Sequence, residues 1–202
     1  NTIALISTFR NKYKRLEKFS FEIFFTQRYR IVLKFLMEYA EINKKELQII
    51  RNTNAPDEKE FFEELLDGHK CEFVHQPTRR EYSAYEACDR AEVVVGLGST
   101  LAYESAARGN KTLMLSLNHY LLGASSGYAR HGYPLEYPDV GPFWSNIPDP
   151  KIFKKIMDHL FEISEVEWLA ELERFKFPSL MTYNAGNTIL KEILDRELES
   201  DK

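Results

Sequence analysis

One stretch constrains the chain more than any other: Asp89 to Ser116, DRAEVVVGLGSTLAYESAARGNKTLMLS. It reads as strand, tight turn, helix, strand. Glu92 to Val95 is a short apolar run of β-branched residues, the composition of a strand buried on both faces. Gly96 and Gly98 remove side chains where the chain must turn and where something can approach the backbone. Ser99 and Thr100 are N-cap residue types, so a helix is expected to begin there, and Gly109-Asn110 ends it after about three turns. Thr112 to Leu117 is a second buried strand. A helix that starts just beyond a strand's carboxyl end presents free backbone N–H groups and the positive end of its dipole, a combination that favours phosphate.

Glu104 lies four residues after Thr100 and five after Ser99, which does not match the three-residue spacing of a capping box. It falls on the same helix face as Thr100, one turn on. An acid there can accept hydrogen bonds from ribose hydroxyls while phosphate sits on the helix end. Spacing alone leaves the plainer alternative open: a tight βα turn, with Glu104 a solvated acid near the helix dipole.

The remaining chain repeats the alternation. Ile3 to Ser7 is the first strand, and Ser7-Thr8-Phe9-Arg10 follows it where open α/β sheets bind ligands. Arg10 can pair with phosphate as a planar fork; a surface arginine is the competing reading. Lys12, Lys14, Arg15 and Lys18 form a basic cluster ahead of FSFEIFF, suited to an anionic membrane surface, another domain or simply solvent. Gln27 to Lys45 carries an apolar stripe at helical spacing. Glu46 to Arg51 is the second strand, Asp57 is expected to cap a helix over 58–67, and Cys71 to His75 is the third strand. His75-Gln76 again follows a strand exit, and Ser83 to Arg90 is a short helix. From Gly123 to Pro150 the chain reads as irregular. Tyr128, Tyr133, Tyr137, Phe143 and Trp144 are too many aromatics for a free loop, so the segment is expected to be ordered, with dimerisation one way to cover it. Helices follow from Pro150 to about Ile163, Glu165 to Phe175 and Asn184 to Leu198. This order predicts an α/β, Rossmann-like, doubly wound parallel sheet of about five strands in the order 3-2-1-4-5, with C-terminal helices.

Composition narrows the function. A net charge of −4 argues against a nucleic-acid partner. Cys71 and Cys88 have no metal-ligand spacing and read as reduced, cytoplasmic thiols. The five histidines show no close pairing, so no metal site is expected. With 202 residues the chain makes one sizeable domain. It begins at Asn1 and enters a strand almost at once, the look of a piece cut from a longer protein or of a processed one.

STFR after the first strand, the CDRAEVVVGLGSTLAYESAARGNKTLMLS block and GYPLEYPDVGPFWSN together resemble bacterial surface-carbohydrate (O-antigen or capsule type) biosynthesis proteins. The similarity is to their C-terminal half, which is related in layout to the glycosyltransferase-B superfamily, and it runs from about Ile3 to Asn146 and more loosely into the final helices. CDP-glycerol polymer transferases are more distant: they carry Thr-Trp-Arg in the place of Thr8-Phe9-Arg10, and Asp-Tyr-Ser-Ser where this chain has Gly96-Leu97-Gly98-Ser99. The resemblance implies one Rossmann-like donor domain of a two-domain transferase. Thr8, Gly98, Ser99 and Thr100 would hold phosphate, Arg10 the pyrophosphate, Glu104 the ribose, and His75-Gln76 the base. No metal or cofactor is implied, the nucleotide sugar being a substrate. A glycan or lipid-linked acceptor would be held by an N-terminal domain, at the inner face of the cell membrane. A sugar-nucleotide 2-epimerase or hydrolase, and a nucleotide-binding or assembly module without chemistry, are the alternatives on the same architecture.

Overall fold

The computed structural model describes residues 1–9, 26–74, 83–122 and 137–200. Six strands form one parallel sheet: β1 (Thr2–Ile6), β2 (Glu46–Ile50), β3 (Glu72–Val74), β4 (Val93–Leu97), β5 (Thr112–Leu115) and β6 (Trp144–Ser145), in the spatial order 3-2-1-4-5-6. Between them run α1 (Gln27–Asn43), α2 (Pro56–Leu66), α3 (Ser83–Arg90), α4 (Thr100–Ala107) and the short α5 (Asn118–Leu122). After β6 come α6 (Pro150–Glu162), α7 (Glu165–Arg174), two 3-10 turns and α8 (Thr188–Ser200). The order doubles back between β1 and β4, with Ile3 to Ile6 paired to Val93 to Gly96. The expected parallel, doubly wound sheet is therefore present, with β1 and β4 at its centre.

Both faces of the central strands are buried, which explains why their sequences are continuously apolar rather than alternating. Ile3, Leu5, Val93 and Val95 point into the larger core, beneath α1, α2 and α6, where Tyr29, Phe62 and Phe153 are fully buried. Ala4, Ile6 and Val94 face the thinner layer, built from the small side chains Ala84, Ala87, Cys88 and Ala102 of α3 and α4. Small residues let that layer approach closely. A Cβ on Gly96 would lie 2.3 Å from Cβ of Ala102, so what approaches the backbone at Gly96 is the protein's own helix.

Two sequence expectations are corrected. The sheet has a sixth strand inside the stretch read as irregular. Gly141 N–H donates to the Trp144 carbonyl in a tight turn, and Met114 and Ser116 N–H groups then donate to the Phe143 and Ser145 carbonyls. A two-residue strand gives no periodicity to detect, and its aromatics serve the core: Phe143 and Trp144 are buried and stack edge-on with Phe175. Within 137–146, Tyr137, Phe143 and Trp144 each pack against Phe175; Tyr128 and Tyr133 lie outside the described residues. Second, Asp57 does not cap α2. Ala55 is the N-cap and Pro56 takes the first helical position, where its fixed φ and missing N–H cost nothing. Asp149 does cap α6, accepting from Lys151 N–H at 2.8 Å.

Candidate functional site at the carboxyl edge of the sheet

A cavity of about 650 Å³ opens at the carboxyl ends of β1, β2, β4 and β5, over the point where the strand order reverses. Crevices at that point are where open α/β sheets take their ligands. Of the residues singled out in the sequence, Thr8, Gly98, Ser99, Thr100 and Glu104 all line it. Arg10, His75 and Gln76 lie outside the described residues.

The β4–α4 turn forms one wall. Gly98 adopts φ +64°, a left-handed conformation that glycine takes at little cost. Ser99 is the N-cap residue, but its hydroxyl makes no capping bond. Ala102 N–H donates to the Ser99 carbonyl at 3.1 Å. The N–H groups of Ser99, Thr100 and Leu101 have no acceptor among the described residues, and Gly98 and Thr100 are exposed. At the far end, Arg108, Gly109 and Asn110 N–H groups close the helix onto the carbonyls of Glu104, Ala106 and Ser105, with Gly109 at φ +96°.

Among the described residues, the opposite wall carries two guanidinium groups that sequence reading did not single out. Arg28, in the first turn of α1, donates to Thr8 Oγ1 at 2.8 Å. Thr8 is held further by the buried Tyr29, whose hydroxyl accepts from Thr8 N–H at 2.7 Å. Burial raises the Tyr29 phenol above its ordinary pKa, so it stays neutral there. Arg51, at the exit of β2, is buried beside the cavity and donates to the Ala55 carbonyl at 2.6 Å. Arg51 carried a usable signal, a basic residue just past a strand end. Arg28 carried none, because its role depends on where α1 begins.

Arg51 also lies 3.9 Å from Glu58, which is fully buried. Glu58 accepts from the N–H groups of Asn52 and Thr53 at 2.8 and 2.7 Å, and from the hydroxyls of Thr53 and Ser7. The loop after β2 is thereby tied to the exit of β1.

Glu104 stands one turn below Thr100. Its Oε2 accepts from the Tyr85 hydroxyl at 2.6 Å, and that bond, reinforced by burial, pushes the phenol up to about 12. The titratable side chains among the described lining residues are therefore two arginines, one tyrosine and one glutamate. This set suits holding an anion, and Glu104 is its one carboxylate. Among the described residues, no group of three His, Cys, Asp or Glu side chains is placed to hold a metal ion, and no helix is long and apolar enough to cross a membrane.

No curated protein and no solved structure matches the chain. A family model does: residues 1–198 match the family described as "putative O-antigen biosynthesis protein".

Proposed function

Because the chain belongs to that family, we propose that it is the nucleotide-sugar-binding half of a glycosyltransferase-B-type enzyme of surface-polysaccharide assembly. The observation that carries the reading is the open first turn of α4, set at the sheet's switch point and facing Arg28 and Arg51 across one cavity. Backbone donors, a helix dipole and two fixed cations together favour a diphosphate over a neutral ligand. Glu104, one turn lower, suits the ribose. Arg10 and the His75-Gln76 pair extend the same reading to the pyrophosphate and the base.

In the reaction so proposed, the bond between the sugar's anomeric carbon and the diphosphate oxygen breaks, and a bond to an acceptor hydroxyl forms. The acceptor's proton passes to a base, and the nucleotide leaves as diphosphate. The helix end and the guanidinium groups stabilise the charge that develops on the leaving oxygen. A base and an acceptor site supplied by an N-terminal domain complete the enzyme, and the acceptor is a glycan or a lipid-linked glycan at the membrane surface. Residues 1–202 alone are then expected to bind donor without transferring its sugar, since acceptor positioning is missing.

A thermal-shift panel of CMP, CDP, UDP and GDP tests this. A ligand at 100 times its Kd stabilises by about 2.7 kcal/mol, an upshift of several degrees. One diphosphate is expected to stand above the others, and above the monophosphate. A panel in which no nucleotide raises the melting temperature at millimolar concentration refutes the reading.

A further inference from the structure

The Glu104 carboxylate stands between two cavities. One is the site above. The other, of about 500 Å³, lies between α3, α4 and the 181–187 segment, and both Glu104 and Tyr85 line it too. Of the two carboxylate oxygens, Oε2 takes the Tyr85 hydroxyl and Oε1 has no partner among the described residues. Tyr85 is itself held from behind. The Arg108 guanidinium lies 5.6 Å from the centre of its ring and makes a two-pronged bond to Asp89, which also accepts from Asn110 at 2.8 Å.

We infer that Tyr85 is a positioning residue that gives the site its preference for ribonucleotides, by holding Glu104 toward the ribose diol. The inference rests on the nucleotide reading above. A glutamate has three rotatable side-chain bonds and can swing into either cavity. The tyrosine bond selects one orientation and leaves Oε1 to accept from a ribose hydroxyl. A second effect runs the same way. An acceptor-only carboxylate must be matched by donors, and a vicinal diol supplies them, whereas a sugar lacking both hydroxyls leaves the oxygen desolvated without a partner. The phenol's raised pKa keeps it a donor across the neutral range.

The test uses the chain as it stands and calorimetric titration with three probes: whichever of CDP, UDP or GDP binds, its 2′,3′-dideoxy form, and inorganic pyrophosphate. The wild type is expected to bind the ribonucleotide at least tenfold more tightly than the dideoxy form. Tyr85→Phe, which keeps the ring and removes the hydroxyl, is expected to reduce that ratio to threefold or less, with pyrophosphate affinity within twofold of wild type. Glu104→Gln is expected to reduce the ratio as well. A Tyr85→Phe protein that keeps the full ratio overturns the inference, as does one in which all three probes weaken together, because that is the signature of a general structural loss. Equal binding of ribo- and dideoxy forms by the wild type overturns it while leaving the nucleotide reading standing. Failure of every nucleotide to bind the wild type removes both.

Discussion

The loops after β2 and after β4 flank β1 on either side, and both follow a strand's carboxyl end into a helix. Each aims backbone N–H groups at a point above the sheet. After β2 that point is filled: the Glu58 carboxylate accepts from Asn52 and Thr53, is fully buried, and has Arg51 beside it. After β4 it is open: no described residue accepts from Thr100 or Leu101, and Thr100 is exposed. The same local device thus ends once on the protein's own anion and once, among the described residues, on none. The filled loop braces β1, β2 and α2, and it holds Arg51 beside the cavity through Ala55 and Glu58. The open loop is where an external anion has donors to meet. The contrast separates scaffold from site within a single cavity rim, and it can be broken from either side.

The largest effect is expected at the filled loop. Glu58→Ala removes one partner from a buried charged cluster, a change that costs on the order of 3–5 kcal/mol. It leaves the Asn52 and Thr53 N–H groups aimed at a vacated position. Formate or acetate added at high concentration is expected to restore part of the loss, because the small anion then binds the native state and not the unfolded chain. Urea denaturation with and without formate measures both. A loss below 1 kcal/mol, or no response to formate in the variant, would show that Glu58 is not this loop's anion.

At the open loop the expected pattern is reversed, with binding lost and stability mostly kept. Gly98→Val puts a β-branched side chain where phosphate is expected to approach. It also forces valine into φ +64°, at roughly 1–2 kcal/mol. Gly98→Asn separates the two effects, since asparagine tolerates the left-handed region but still carries a side chain. Both variants are expected to lose nucleotide affinity at least tenfold, and Gly98→Asn to melt near the wild-type temperature. Unchanged nucleotide affinity in both would falsify the site.

The sheet and its switch point were legible because they depend on runs of residues. Continuous apolar strands such as Val93 to Val95, and glycines at a strand-to-helix turn, announce a buried parallel strand and a tight exit within ten residues. That Thr8, Gly98, Ser99, Thr100 and Glu104 line one cavity was legible for the same reason: each follows from its place relative to a strand end. What sequence reading missed depends on partners distant along the chain. Glu58 reads as one acid of an acidic first helical turn, and only the fold brings Ser7 to it. Tyr85 reads as a residue of a short helix, and its bond to Glu104 spans 19 positions. The strand β6 was missed because two residues, Trp144 and Ser145, carry no period at all.

The smallest expected effect probes what supports the open loop from behind. Asp89 holds Arg108 at the last turn of α4, and that arginine, with the Asn110 amide, keeps the Asp89 carboxyl below its ordinary 3.8. A carboxyl depressed in the folded state contributes stability above its unfolded pKa and loses it as pH falls through the folded one. The contribution is therefore present at neutral pH and disappears below about pH 4, in step with protonation of Asp89. The pair is part-exposed, with 36% of the Asp89 side chain accessible, so solvent screening holds its worth to about 1 kcal/mol or less. Asp89→Asn is expected to cost that much at pH 7 and to approach the wild type as the pH falls through the folded-state pKa of Asp89, below its ordinary 3.8. Its consequence should be confined to one side of the contrast. Arg108 lies over Tyr85 and Tyr183, whereas the Glu58 cluster is anchored to Ser7, Asn52 and Thr53. Amide exchange in Asp89→Asn at pH 7 is thus expected to quicken in α4 and leave the Asn52 and Thr53 amides unchanged. Equal quickening at both loops would mean that the rim behaves as one body and that the division between scaffold and site does not hold.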